Sequence, residues 1–181
     1  AAEKREVPDV MYDFLVSNGG CAYAILMGAN YLAGNHDVIH TMLSDPHTVT
    51  GLSDAGAHVN LIFDAVAPTY QLMHWARDRK RGPKIPVEHI VFKQTNNNAQ
   101  LYGLHDRGSL EVGKRADLNL IDFDNLSLGA LKAHRDLPAG GSRILQSASG
   151  YIATFVNGVR TRENDVDTGA RPGRLARPTA A

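Results

Sequence analysis

Apolar residues recur at helical spacing from Val7 to Val16, where Val7, Val10, Met11, Phe14 and Leu15 mark one stripe and Pro8 suits the first turn. Asn18-Gly19-Gly20 ends that helix. Cys21 to Met27 is almost uninterrupted apolar sequence, which predicts a strand covered on both faces, although a buried helical turn fits the same length. Asn35 or Asp37 opens the next predicted helix, with Val38, Ile39, Met42 and Leu43 as its buried stripe and Asp45-Pro46 as its end. Thr48 to Leu52 is short and β-branched, and predicts a second strand. Strand, helix and strand with short joins are the signature of a βα layer. Residues 21–27 and 48–53 are therefore expected as neighbouring parallel strands, with Asp54 at their carboxyl edge.

Helical spacing returns over Ala67 to Arg79, which carries Tyr70, Leu72, Met73 and Trp75. Pro86 starts another helical segment with Val87, Ile90 and Val91, and Ala99, Leu101 and Tyr102 suggest one more turn before Gly103. Near His105 the character changes to short β-type runs punctuated by Gly108, Gly113 and Gly140-Gly141. The clearest is Ala116 to Asp122, in which Leu118 and Leu120 are expected to face away from Asn119 and Ile121. Tyr151 to Val156, Asn157-Gly158 and Val159 to Thr161 read as a hairpin, since Asn-Gly supplies the two positive-φ positions of a type I′ turn. From Arg162 onward the sequence turns polar and tail-like, and no internal repeat is present.

Composition narrows the function classes. The 181 residues are 43% hydrophobic, enough for a packed core, and carry 19 basic and 19 acidic side chains. A balanced charge offers no field to hold nucleic acid or an anionic membrane, so neither is an expected partner. The densest basic run, Arg77, Arg79, Lys80 and Arg81, is broken by Asp78 and reads as a solvated helix end. The single cysteine, Cys21, excludes an internal disulfide, fits a reducing, cytoplasmic compartment and reads as a small core residue. No charged segment followed by an apolar run opens the chain, which begins Ala-Ala-Glu-Lys-Arg without an initiator Met.

Asp54 stands out chemically. It follows an apolar segment and precedes Ala55-Gly56-Ala57-His58. In an α/β fold a carboxylate there can bind a divalent metal, orient a water or move a proton. An Asx turn or helix cap by Ser53 or Asp54 fits the local pattern as well. His36 and His40 are four apart without an acidic residue in the zinc-protease position, and read as helix-surface residues. His47, His74, His89, His105 and His134 show no convergent ligand spacing, and no Gly-rich stretch leads to a phosphate loop.

Gly51-Leu52-Ser53-Asp54-Ala55-Gly56-Ala57-His58-Val59 resembles the strand-eight motif of the D-aminoacylase (N-acyl-D-amino-acid deacylase) branch of the amidohydrolase superfamily. Thr95 to Ala99 and Tyr102 to Leu118 look like the passage in which that family leaves its barrel for a β-domain. Asp136-Leu137-Pro138-Ala139-Gly140-Gly141, Gly150 to Gly158 and Thr168 to Leu175 continue the likeness. One departure is Asn98, where family members often carry a proline before the alanine.

The resemblance implies an α/β architecture: residues 1–104 as the last βα units of a (β/α)8 TIM barrel, strands seven and eight among them, and 105–181 as a β-rich domain portion and tail. It implies metal-dependent hydrolysis of N-acyl-D-amino acids or related amides, with zinc as the expected ion. Asp54 would be a metal ligand and the carboxylate that takes a proton from the attacking water and returns one to the leaving amine. His58, four residues on, would contact substrate or orient Asp54. The family's His-x-His pair occurs nowhere in this sequence, and a whole barrel needs ~250 residues. The expected partners are thus an upstream portion of the same enzyme and a small amide substrate, and the chain by itself is expected to be inactive and to bind no metal tightly. A non-catalytic structural or interaction protein that kept the layered fold is the alternative.

Overall fold

The computed structural model describes residues 4–20, 22, 24, 29–51, 53–56, 58 and 60–178. The chain divides into two compact units, Ala1–Val38 and Ile39–Ala181. In the first, helix α1 (Val7–Gly20) stops being regular where expected, with Asn18 and Gly19 at φ 54° and 69°. Its stripe is not buried within the unit: Met11 is 42% and Phe14 44% exposed, and no α1 residue is buried. The strand expected over Cys21–Met27 lies for the most part outside the described residues, as does Cys21 itself.

Helix α2 (Asp37–Ser44) begins as the sequence suggests, where the Asp37 N–H donates to the Asn35 carboxamide oxygen at 3.0 Å. Ile39 and Leu43 pack on the core of the second unit, whereas Val38 and Met42 are exposed. A 3-10 turn (Asp64–Val66) leads into α3 (Ala67–Tyr70), with Pro68 in its first turn, and a π-helix (Gln71–Asp78) continues it. The Arg79 N–H closes the π-helix on the His74 carbonyl at 2.8 Å, and Arg79 itself is extended. Helix α4 (Val87–Phe92) follows Pro86, passes through a π-turn (Lys93–Asn97) and ends as α5 (Asn98–Leu101). No helix among the described residues is long and apolar enough to cross a membrane.

Six strands follow, all paired antiparallel. They are β1 (Leu118–Ile121), β2 (Ser127–His134), β3 (Arg143–Ser149), β4 (Tyr151–Val156), β5 (Val159–Glu163) and β6 (Val166–Asp167). One sheet has the order β1-β4-β5-β6, and β2-β3 forms a separate ribbon. The Asn157-Gly158 turn has φ 51° and 75°, as a type I′ hairpin requires. A second turn of that kind, Asn164-Asp165 at φ 46° and 66°, carries the sheet into β6, so the chain is not tail-like until after Asp167.

A core of Leu72, Trp75, Ile85, Ile90 and Leu126 binds helices to strands, with Ile121, Phe123 and Tyr151 packed against it. Trp75 is 2% and Leu126 1% exposed. Arg77 and Arg79 of the basic run serve this packing, whereas Lys80 and Arg81 face solvent as expected. Arg77 donates to the Phe123 carbonyl at 2.6 Å and the Asp124 carbonyl at 3.1 Å, and buried Arg79 lies 4.6 Å from the centre of the Trp75 ring.

Three expectations need correction. Thr48–Gly51 belongs to no strand; the Thr48 carbonyl is met by a helix side chain, and the Thr50 hydroxyl donates to a helix carbonyl. Leu120 is exposed, since a bulge between Leu120 and Ile121 breaks the alternation in β1. Strand β2 was not foreseen: Ser-Leu-Gly-Ala-Leu-Lys-Ala-His is rich in helix formers and poor in β-branched residues.

Gly108 explains one motif. Its φ is 88°, and a Cβ there would stand 2.7 Å from the Ala99 Cβ and 3.0 Å from the Asn96 Cα. Gly108→Ala should therefore destabilise the fold by more than ~1 kcal/mol, read as a lower urea midpoint. Leu126→Ala, which empties the junction of helices and strands, should cost about 2–5 kcal/mol in the same measurement.

Candidate functional site

The approach to Asp54 is built from helix α2 and the π-turn. Asp45 closes the end of α2, accepting the His47 N–H on its carboxylate at 2.7 Å and the Thr48 N–H on its carbonyl at 3.3 Å. The ammonium of Lys93, a residue only 3% exposed, donates to the Asp45 carbonyl, to the Thr48 carbonyl at 2.7 Å and to the Thr48 hydroxyl at 2.8 Å. Burial holds the Lys93 pKa below the usual lysine value, with the Asp45 charge acting in the opposite sense. The Thr50 hydroxyl donates to the Lys93 carbonyl at 3.1 Å and accepts from the Asn98 carboxamide at 3.0 Å.

Asp54 then stands exposed in the left-handed region at φ 54°, a conformation that aspartate tolerates better than most residues. Its carboxylate makes no hydrogen bond or ion pair with any described residue, and it caps no helix, since the next helical turn begins only at Asp64. His58 is also exposed and left-handed, at φ 52°, and its carbonyl accepts the Leu61 N–H at 3.2 Å. The Gly56 N–H closes the same loop on the Ile62 carbonyl at 3.1 Å. Asp54 and His58 thus share one exposed loop, but no hydrogen bond joins their side chains.

That loop meets a second stretch singled out in the sequence. The Ser142 hydroxyl donates to the Asn60 carboxamide oxygen at 3.4 Å, beside the Asp136–Gly141 loop. Arg143 braces the loop with a two-pronged pair to Asp136 at 2.9 and 2.7 Å, which holds the Asp136 carboxyl below the usual carboxylate range. Two other stretches of the resemblance meet for structural reasons. The Gly158 N–H donates to the Ala116 carbonyl at 2.9 Å, and the Asn157 N–H to the Asp117 carboxylate at 2.6 Å. Ala116-Asp117 and Asn157-Gly158 are therefore two sides of one contact.

The described donors do not by themselves make up a metal site. No group of three His, Cys, Asp or Glu side chains converges among the described residues, and a catalytic zinc site ordinarily uses three protein ligands. His36 and His40 turn to different aromatic partners, His36 to Tyr31 at 4.9 Å and His40 to Trp75 at 5.9 Å between ring centres. His89 lies 3.0 Å from the Leu43 carbonyl. A cleft of about 450 Å³ lies between the Ala65–Thr69 turn and strands β3 and β4, and neither Asp54 nor His58 lines it. Sequence reasoning assigned no role to Lys93, Asn97 or Ser142 and read Asn98 only as a departure from the family pattern. The signal for Lys93 was a charge three residues beyond Ile90, on a helix face that is otherwise buried.

The chain is 32% identical over 110 residues to a D-aminoacylase of Alcaligenes xylosoxydans xylosoxydans, an alignment covering 61% of this chain. It spans about 20% of the length of that relative. No solved structure matches the chain significantly. Residues 20–161 match the amidohydrolase family, a span that takes in the Asp54 loop, its helical support and the β-region through β4, and the chain belongs to that family.

Proposed function

We propose that this chain is the carboxyl-terminal part of an enzyme that hydrolyses the amide bond of N-acyl-D-amino acids or related amides, with Asp54 as its proton-transfer group. Membership of the amidohydrolase family and the likeness to a D-aminoacylase support the reaction class. The observation that carries the site assignment is the Asp54 carboxylate, exposed and unpartnered among the described residues just beyond a segment held through the Thr48 carbonyl and the Thr50 hydroxyl. A carboxylate whose purpose was to close a turn would be spent on backbone N–H groups, as that of Asp45 is.

Residues 1–104 belong, on this reading, to the last βα units of a (β/α)8 barrel, and the antiparallel strands beyond them to its β-domain. Divalent-metal chemistry, zinc above all, accompanies this family. The ligands would come chiefly from the rest of the enzyme, Asp54 being at most one of them, because the described residues offer no set of three. Asp54 accepts the proton of the attacking water and delivers a proton to the leaving nitrogen. His58, in the same loop, contacts the substrate.

In the complete enzyme Asp54→Asn, which nearly keeps the size but removes the proton acceptor, should lower kcat by ~10²–10⁴-fold per metal-loaded site, with thermal unfolding unchanged. His58→Asn measured beside it should be milder; an inactive His58→Asn with an active Asp54→Asn would transfer the role to His58. The 181-residue chain by itself, dialysed against metal-free buffer, should retain far less than stoichiometric zinc by elemental analysis and turn over no N-acyl-D-amino acid.

A further inference from the structure

The amino-terminal end of the Asp54 segment is fastened from one side by a single helical surface. His89, Lys93 and Asn97 are four residues apart and meet successive carbonyls: His89 that of Leu43 at 3.0 Å, Lys93 those of Asp45 and Thr48, and Asn97 that of Thr48 at 3.4 Å. Asn98 adds the bond to the Thr50 hydroxyl at 3.0 Å. In an uninterrupted α-helix Lys93 and Asn98, five apart, would point about 140° from each other. The π-turn over Lys93–Asn97 narrows that divergence, because i→i+5 closure lowers the rotation per residue.

We propose that Lys93 is a positioning residue for hydrolysis: with Asn97 and Asn98 it fixes Thr48 to Thr50, the backbone from which the Asp54 loop departs, and so sets where the carboxylate stands. The proposal rests on the reading of Asp54 as the proton-transfer group.

The chemistry of the contact argues for placement over mere stability. No described carboxylate forms an ion pair with the Lys93 ammonium, and the Asp45 carboxylate is directed to its own turn. Burying an ammonium costs several kcal/mol, which its hydrogen bonds must first offset, so the contact is a weak source of net stability. What an apolar side chain cannot do is hold three oxygens in a fixed triangle. Those acceptors belong to Asp45 and Thr48, so the ammonium fixes both the turn that ends α2 and the segment beyond it. Among the described residues no strand pairs with Thr48–Gly51, and the helix surface takes the place of the missing ladder. A shift of about 1 Å in a catalytic group can cost ~10²-fold in rate, so a loosened segment should be visible in turnover.

The test uses the complete enzyme with Lys93→Met, which keeps length and apolar contact but removes every donor. Amide hydrogen exchange across residues 45–56, kcat and KM for an N-acyl-D-amino acid, and thermal unfolding are measured together. The expected result is faster exchange confined to that segment, kcat lower by ~10–10²-fold, KM within about threefold and an unfolding temperature lowered by a few degrees but still well above that of the assay. Lys93→Ala with added n-propylammonium should recover part of the lost kcat, which ties the loss to the missing ammonium. If Lys93→Met does not fold, Lys93→Gln, which keeps two N–H donors, is judged by the same criteria. Parental kcat in a folded variant, or unchanged exchange over 45–56, overturns the positioning role. Asp54→Asn at near-parental turnover would instead sink the assignment of Asp54, and the positioning role with it. An inactive Asp54→Asn beside a fully active Lys93→Met removes the positioning role alone.

Discussion

Trp75 is the point on which the larger unit turns. Its indole is almost wholly removed from water, and its neighbours come from α2, from its own π-helix and from the turn that leads to α4. His40 of α2 meets the ring at 5.9 Å, the His74 ring meets it edge-on at 4.8 Å, and the Arg79 guanidinium covers it at 4.6 Å. The Trp75 carbonyl accepts the Ile85 N–H at 2.9 Å and so returns the chain toward α4. An aromatic of this size contributes more buried apolar area than any other side chain in the cluster. The positions of α2 and α4 follow from it, and the Asp54 approach lies between those two helices.

The helical layer and the β-region are joined by a few contacts of different kinds. Leu126, at the turn before β2, enters the helical core. The Thr69 and Tyr151 hydroxyls meet at 2.6 Å, and Arg77 reaches across to the carbonyls of Phe123 and Asp124. Gly108 lets the connecting passage lie directly on Asn96 and Ala99. The stretches that carry the family likeness therefore divide by purpose. Those around Gly108, Asp117 and Asn157 hold the β-region in register, and the Ser53–His58 loop carries a carboxylate that the fold leaves unused.

Two π-helical stretches, Gln71–Asp78 and Lys93–Asn97, shape the helical layer. Such turns have poorer backbone geometry than an α-helix and persist where side-chain placement compensates. In the second, the compensation is the set of hydrogen bonds from Lys93, Asn97 and Asn98 to residues 45–50. Local spacing rules assume α-helical phase, so they place Asn98 on the wrong face.

Much of this was legible in residue order because it depends on neighbours a few positions apart. The spans of α1, α2 and α4, the halt at Asn18-Gly19, the Asn157-Gly158 hairpin and the prominence of Asp54 all follow from local periodicity, turn chemistry and the family pattern. What tertiary structure decided depends on partners far along the chain. Ser127–His134 is a strand only because Arg143–Ser149 pairs with it. Thr48–Gly51 is rich in β-branched residues yet is no strand, and its Thr48 carbonyl accepts from a side chain 45 residues away. Lys93 reads as an ordinary exposed lysine until the fold removes it from water and surrounds it with carbonyl and hydroxyl oxygens. Sequence names the residues able to do chemistry, and only the burial of distant groups against one another decides which of them are held in place and which, like Asp54, stand exposed without a partner among the described residues.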